Sequence, residues 1–255
     1  MAVKKSESVN IEVEIKTGMM EVCIVGRTPL ILARLSEKAR QELLMPKGRK
    51  SAAERKGNLK HNPIEEYRAA PYITDDDDAP YLFELLSTAF KKAIMGAAVD
   101  IPGATKAQIG RCLWVEGQRI GVYGAPRLFM AITRSADMAR TPDVRTRCIL
   151  PKWAVQLRVS FVKPILNERT IGQLLGAAGL IQGVGDWRPE KGSGNYGQFE
   201  IVSPDDKEFG EIVSKQGREA QQAGMDNPVC YDAETQELMD WFGPEAKRRG
   251  FEVVA

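Results

Sequence analysis

The residues best suited to chemistry lie together near position 190. There Gly183, Gly185, Gly192, Gly194 and Gly197 are interleaved with Trp187, Arg188, Lys191 and Tyr196. Glycine tolerates positive φ and lets a backbone come close to a ligand. Successive N–H groups can then form anion-binding concavities. Arg188 and Lys191 suit phosphates, while Trp187 and Tyr196 suit stacking on bases. The competing interpretation is a structural turn in which Trp187 covers the core. A second cationic set, Arg134, Arg140, Arg145 and Arg147, falls in the polar stretch 133–152. Taken alone, it reads as a solvated hairpin tip. A third lies between Lys38 and Lys60 and includes Lys47, Arg49 and Lys50. Lys91 and Lys92 add two cations on a helix.

Other chemistry is poorly supported. No G-x-S-x-G, H-E-x-x-H or Walker A sequence occurs. Gly183-Val-Gly185 follows a helical pattern and opens a strand, the reverse of a dinucleotide site. His61, the only histidine, falls in an apparent loop and is expected at the surface. The run Asp75–Asp78 could suggest a metal-dependent nuclease, but adjacent carboxylates repel and are expected in a solvated loop. Cys23, Cys112, Cys148 and Cys230 lie too far apart in sequence for paired zinc ligands. No catalytic residue, metal or cofactor is expected. The polar start and the lack of a long apolar run imply a cytoplasmic protein without a membrane partner.

These residues must be positioned by a mixed chain of 255 residues, 43% hydrophobic, with net charge +2. Residues 1–9 read as a loose arm. Val9–Ile15 alternates like a half-buried strand, and Met20–Gly26 reads as a second segment. Ser36 is expected to cap a short helix to Leu44. Residues 46–80 lose periodicity and read as an insertion, flexible in part. Ser87 is expected to cap a helix from Thr88 to Val99, with Ala89, Phe90, Ala93, Ile94 and Ala97 on one stripe. Leu113–Val115 and Arg119–Tyr123 suggest a hairpin. Arg127–Ile132 and Trp153–Val162 read as strands. A helix opening at Asn167 or Glu168 carries Ile171, Leu174, Leu175 and Ala178. The glycine-rich stretch then runs into a last strand ending at Val202.

Without its insertions this order is β-α-β-β-α-β, so the fold expected is α+β and ferredoxin-like (RRM-like). Helices would cover one face of a single sheet, leaving the other free. Residues 1–202 would form the core, with 46–80 inserted, and 203–255 an acidic extension. The contrast between the basic stretch and the acidic extension suggests contacts between copies.

Three segments carry a family resemblance: Gly26-Arg-Thr-Pro-Leu-Ile, the helix Ser87-Thr-Ala-Phe-Lys-Lys-Ala-Ile-Met-Gly-Ala-Ala, and Leu180-Ile-Gln-Gly-Val-Gly with Gly194-Asn-Tyr-Gly-Gln-Phe-Glu-Ile. Together they resemble the RAMP superfamily, which includes the guide-RNA-binding backbone subunits of CRISPR effector complexes. The Gly-Val-Gly-Asp-Trp-Arg-Pro-Glu-Lys turn also resembles a group of tailed-phage proteins. The resemblance spans roughly residues 20–202, and its final turn is its most specific part. It implies a non-enzymatic protein that coats single-stranded DNA or RNA as a multimer, with Arg134, Arg140, Arg145 and Arg147 on a strand-contacting or thumb-like element, and with CRISPR or phage replication and recombination proteins as further partners. The absence of a histidine near the core departs from guide-processing members. The alternative is a mimic or inhibitor of a CRISPR backbone subunit, acting through protein–protein contact.

Overall fold

The computed structural model describes residues 14–35, 40, 43–44, 59, 61–103, 105–134, 142–191 and 194–251. Alternation sets its central strand. In β9 (Ala154–Lys163), Val155, Leu157, Val159 and Phe161 are fully buried, while Gln156 and Arg158 between them are exposed. Period-2 patterning of this kind buries one face of a sheet. β9 pairs antiparallel with β1 (Lys16–Gly26) along ten residues. β1 in turn pairs antiparallel with β10 (Phe199–Val202). On its other side β9 meets β5 (Leu113–Val115) and β6 (Arg119–Tyr123). The large sheet continues through β4 (Phe83–Leu86) to β3 (Tyr72–Ile73). A second antiparallel sheet has the order β2 (Leu30–Leu32), β8 (Pro142–Leu150), β7 (Arg127–Arg134).

Helices complete the core. Phe90, Ile94 and Ala97 of α2 (Ser87–Ala97) and Ile171, Leu174 and Leu175 of α4 (Glu168–Ala177) join Val22, Ile24 and Leu157 in one buried cluster. α4 opens at Glu168, one of the two starts expected, and Asn167 caps it, its Oδ1 accepting from Thr170 N–H at 2.9 Å. α2 starts at Ser87 itself and has no side-chain cap. The short helices α1 (Pro63–Ala69) and α3 (Lys106–Cys112) pack at the margins.

Several expectations change. The α+β class holds, but the described residues form two sheets where one was expected. The described part of the Arg-rich stretch is largely strand: Cys148, Ile149 and Leu150 are fully buried in β8, so polar residues at its start masked a core strand. β5 and β6 both pair with β9 and not with each other. The expected insertion supplies core as well: Tyr67 on α1 is fully buried, and its hydroxyl donates to Gly224 O at 2.8 Å. The other face of the large sheet is covered at one end. There Ile212 of α5 (Lys207–Lys215) packs on Val25 and Ala154.

The acidic extension docks within its own chain. Gln221 of α6 (Arg218–Asp226) is fully buried and bonds both neighbouring strands. Its Oε1 accepts from the N–H groups of Leu82 and Phe83, and its Nε2 donates to the carbonyls of Val122 and Gly124. Thr235 of α7 (Ala233–Arg248) accepts from Met130 N–H. Asp76 and Asp77 are held by Arg218, which donates to Asp76 O at 2.8 Å and pairs with the Asp77 carboxylate at 3.5 Å. Among the described residues no His, Cys, Asp and Glu group is arranged to hold a metal ion. Among them, too, no helix is long and apolar enough to cross a membrane.

Candidate nucleic-acid interface

The glycine-rich stretch folds into a turn whose backbone groups are spent internally. Val184 N–H donates to Gly197 O, Asp186 N–H to Ile31 O, Tyr196 N–H to Trp187 O, and Gly197 N–H to Pro29 O. An N–H already bonded cannot cradle an anion, so the expected anion-binding concavity is not formed by these groups. Two glycines are required by packing. A Cβ on Gly194 would stand 1.6 Å from Trp187 O. Gly197 has φ 70, and a Cβ there would stand 1.8 Å from Val184 O. Trp187 itself has φ 50 and is half-buried. Its ring is edge-on to Phe129 with centroids 6.0 Å apart and lies 6.1 Å from Tyr196. Tyr231 completes this cluster over the small sheet. Burial, then the neighbouring Tyr231 and Asp232, pushes the Tyr196 hydroxyl pKa up.

Beside this turn lie two adjoining cavities with a shared wall of Ala33, Ala70 and Asp186. The first, about 310 Å³, runs along the start of α2. Lys92 and Thr88 from the helix line it, opposite Arg188 from the turn. The N-terminus of α2, which has no side-chain cap although Ser87 N–H donates to Gln118 O, borders it through Leu86, Thr88 and Ala89, and such an end favours negative charge. The second cavity, about 500 Å³, is lined by Arg34, His61, Glu66, Asp143, Arg145 and Arg147, among others. Four of the residues picked from sequence, Lys92, Arg145, Arg147 and Arg188, thus converge from three distant segments.

The charges fall into two groups. The carboxylates are engaged: Glu84 with Arg119 at 3.2 Å, Asp186 with Arg147 at 3.2 Å, and Glu190 with Arg188 at 2.7 Å. Partial burial raises the Glu190 pKa, but the Arg188 hydrogen bond and charge, helped by Lys191 and Lys106, outweigh it and hold the carboxyl below its ordinary value. His61 joins two more, with Nδ1 2.9 Å from Glu66 and Nε2 2.9 Å from Asp143. It is a partly buried link between α1 and β8 rather than a plain surface residue. Lys92, Arg34 and Arg145 have no carboxylate partner among the described residues. The Arg34 guanidinium lies 5.4 Å from the Tyr72 ring centroid, and Arg119 lies 5.3 Å from the same centroid.

The remaining sequence candidates are placed less centrally. Lys91 is half-buried on α2 and Lys191 is exposed at the end of a 3₁₀ turn, Pro189–Lys191; neither lines these cavities. Arg134 ends β7. Lys47, Arg49, Lys50, Arg140 and Gly192 lie outside the described residues. Sequence reading missed Arg34 and Tyr72. The visible signal for Arg34 was a lone cation two residues after the buried triplet Leu30–Leu32; for Tyr72 there was none.

Comparison with known proteins gives little. No protein-family description matches the chain, and no curated protein matches it. Among solved structures it is similar to Cmr6 from Pyrococcus furiosus, at 10% identity over 73% of this chain and 98% of that one. The TM-score is 0.37, too low to carry a conclusion about fold or function.

Proposed function

We propose that the chain binds a single strand of DNA or RNA, without catalysing a reaction on it, across the two adjoining cavities, taken together as one groove. One observation carries this reading: Arg34, Lys92, Arg145, Arg147 and Arg188 converge on that groove, where Glu84, Asp186 and Glu190 are paired with arginines and Glu66 and Asp143 flank His61. Lys92, Arg34 and Arg145, which have no carboxylate partner among the described residues, are then the cations that meet phosphates, aided by the N-terminus of α2. Trp187 and Tyr196, engaged with Phe129, support the loop and offer at most a secondary stacking surface.

The reading includes a RAMP-like protein on a ferredoxin-like core. Its support is the strand order β10-β1-β9-β5 with α2 and α3 before β5 and α4 before β10. That order puts the fourth strand beside the first and the third beside the second. On this view β6 to β8 interrupt the core between its second and third strands. Assembly along the strand and a phage origin belong to the same reading, on the sequence resemblance alone.

The test is fluorescence anisotropy with a labelled single-stranded oligonucleotide between about 50 and 200 mM salt. Each phosphate contact contributes about −0.7 to the slope of log affinity against log salt for single strands. Three free cations therefore predict a slope of about −2 or steeper. The double change Lys92→Ala and Arg145→Ala is expected to flatten it by about 1.4. No binding, or binding indifferent to salt, contradicts the reading.

A further inference from the structure

The large sheet leaves one stretch of backbone without a partner. β1 pairs with β9 from Lys16 to Val25, but with β10 only from Cys23 to Gly26. Along Lys16–Val22 the opposite edge of β1 therefore meets no strand among the described residues. Two bonds at the end of the strand fix which groups face that way. Gly26 N–H donates to Trp153 O across from β9, and Arg27 N–H donates to Gln198 O on the β10 side. Antiparallel strands alternate the direction of their hydrogen-bonding groups. Even-numbered residues of β1 thus point at β9. Thr17, Met19 and Glu21 point their N–H and C=O groups at the open edge.

Sheet edges in soluble proteins are commonly blunted by proline, bulges, charge or a covering element. This one has no proline, and its central residue, Met19, is 62% exposed. Its limits also define what fits it. Pairing must stop at Val22, because the last residue of β10, Val202, stands opposite Cys23. A two-fold axis between antiparallel copies of one strand passes between identical residues, so partners add to a fixed even number. The choice centred on Met19 sets Lys16 against Val22 and uses the whole open edge. The next choices, centred on Gly18 or Met20, leave part of it bare or run past Lys16.

We propose that Lys16–Val22 is a homodimerisation edge, pairing β1 of two copies about a two-fold axis at Met19 to join their large sheets. Six hydrogen bonds form: two between the Met19 residues and two in each Thr17–Glu21 pair. They satisfy every open N–H and C=O of the three residues in both copies. No like charges stand opposite each other, and each Thr17 stands opposite a Glu21, whose carboxylate also accepts from Arg158 of its own chain at 2.8 Å. This surface lies apart from the groove, and the inference does not rest on the nucleic-acid reading.

The test uses the full chain freed of nucleic acid by nuclease and high salt, in sedimentation equilibrium from micromolar to near-millimolar concentration. Met19→Pro deletes only a donor aimed at the open edge, a position where strands accept proline. Met19→Lys sets two like charges opposite each other. The wild type is expected to dimerise reversibly. Both variants are expected to weaken the dimer by about tenfold or more while keeping the wild-type circular dichroism and, at concentrations low enough that all are monomeric, the wild-type melting temperature. Amide exchange at Thr17, Met19 and Glu21 is expected to slow as concentration rises. A wild type that stays monomeric throughout overturns the proposal. Undiminished dimerisation of folded Met19→Lys, or protection of those amides at every concentration in a monomer, also overturns it.

Discussion

Replacing Trp187 with alanine separates a packed ring from a ligand-facing one. The indole is half-buried, edge-on to Phe129, and its backbone carbonyl accepts from Tyr196 N–H. Cutting a fully buried tryptophan to alanine costs about 3–5 kcal/mol. A half-buried ring forfeits about half of that, so Trp187→Ala is expected to cost about 2 kcal/mol. The main chain at φ 50 strains any residue with a Cβ by about 1–2 kcal/mol, and alanine keeps that strain. Trp187→Gly releases it but gives back about 0.4–1 kcal/mol through the unfolded chain. The two variants should therefore agree within about 1 kcal/mol. Urea unfolding followed by circular dichroism reads this directly. A slope of about 2 kcal/mol per molar turns the loss into a midpoint lower by about 1 M. Anisotropy on the same folded variant should show an affinity within about tenfold of wild type, which is about 1.4 kcal/mol. An unchanged midpoint with a larger loss of affinity would refute the packing argument and make the ring a stacking surface.

Two further predictions concern how the chain holds the groove in place. Gln221→Leu orphans the N–H groups of Leu82 and Phe83 and the carbonyls of Val122 and Gly124. Buried unpaired groups cost about 1–3 kcal/mol each, so a loss of about 3 kcal/mol or more is expected in thermal or urea unfolding, and a loss below about 1 kcal/mol would contradict the assignment. Glu190 has a carboxyl pKa held below its ordinary value in the folded chain, so its stabilising contribution is present above the unfolded pKa and is lost as pH falls through the folded one. Glu190→Gln should therefore be less stable than wild type at neutral pH, by at most about 1 kcal/mol for so exposed a pair, and match it in acid; a difference that grows as pH falls would reverse the sign.

Sequence patterning revealed elements whose burial follows a single period. β9 and the stripes of α2 and α4 lie close to where alternation and helical spacing put them. It failed where local chemistry and tertiary burial disagree. Residues 142–147 look like a loop because Asp143, Arg145 and Arg147 dominate, yet they open a strand whose far end is core. Tyr67 looks like part of a polar insertion, because its burial depends on α6, more than 150 residues away. Of the site, the cations of the turn, of α2 and of β8 could be picked out one by one. Their meeting on one groove could not, since it depends on the second sheet. Nor did sequence show that the turn's N–H groups are consumed by Ile31, Pro29 and Gly197, leaving cations rather than backbone to meet an anion.

The most direct test of the central claim is where a bound strand touches the chain. Photo-crosslinking a single-stranded oligonucleotide carrying photoreactive bases, followed by peptide mass spectrometry, reads those contacts. Crosslinks are expected in residues 31–35, 84–93, 142–147 and 184–190, the segments that line the two cavities. They should fade in the Lys92→Ala, Arg145→Ala double variant. Crosslinks confined to the open sheet face around Trp114, 41% exposed, with the groove unlabelled, would contradict the account.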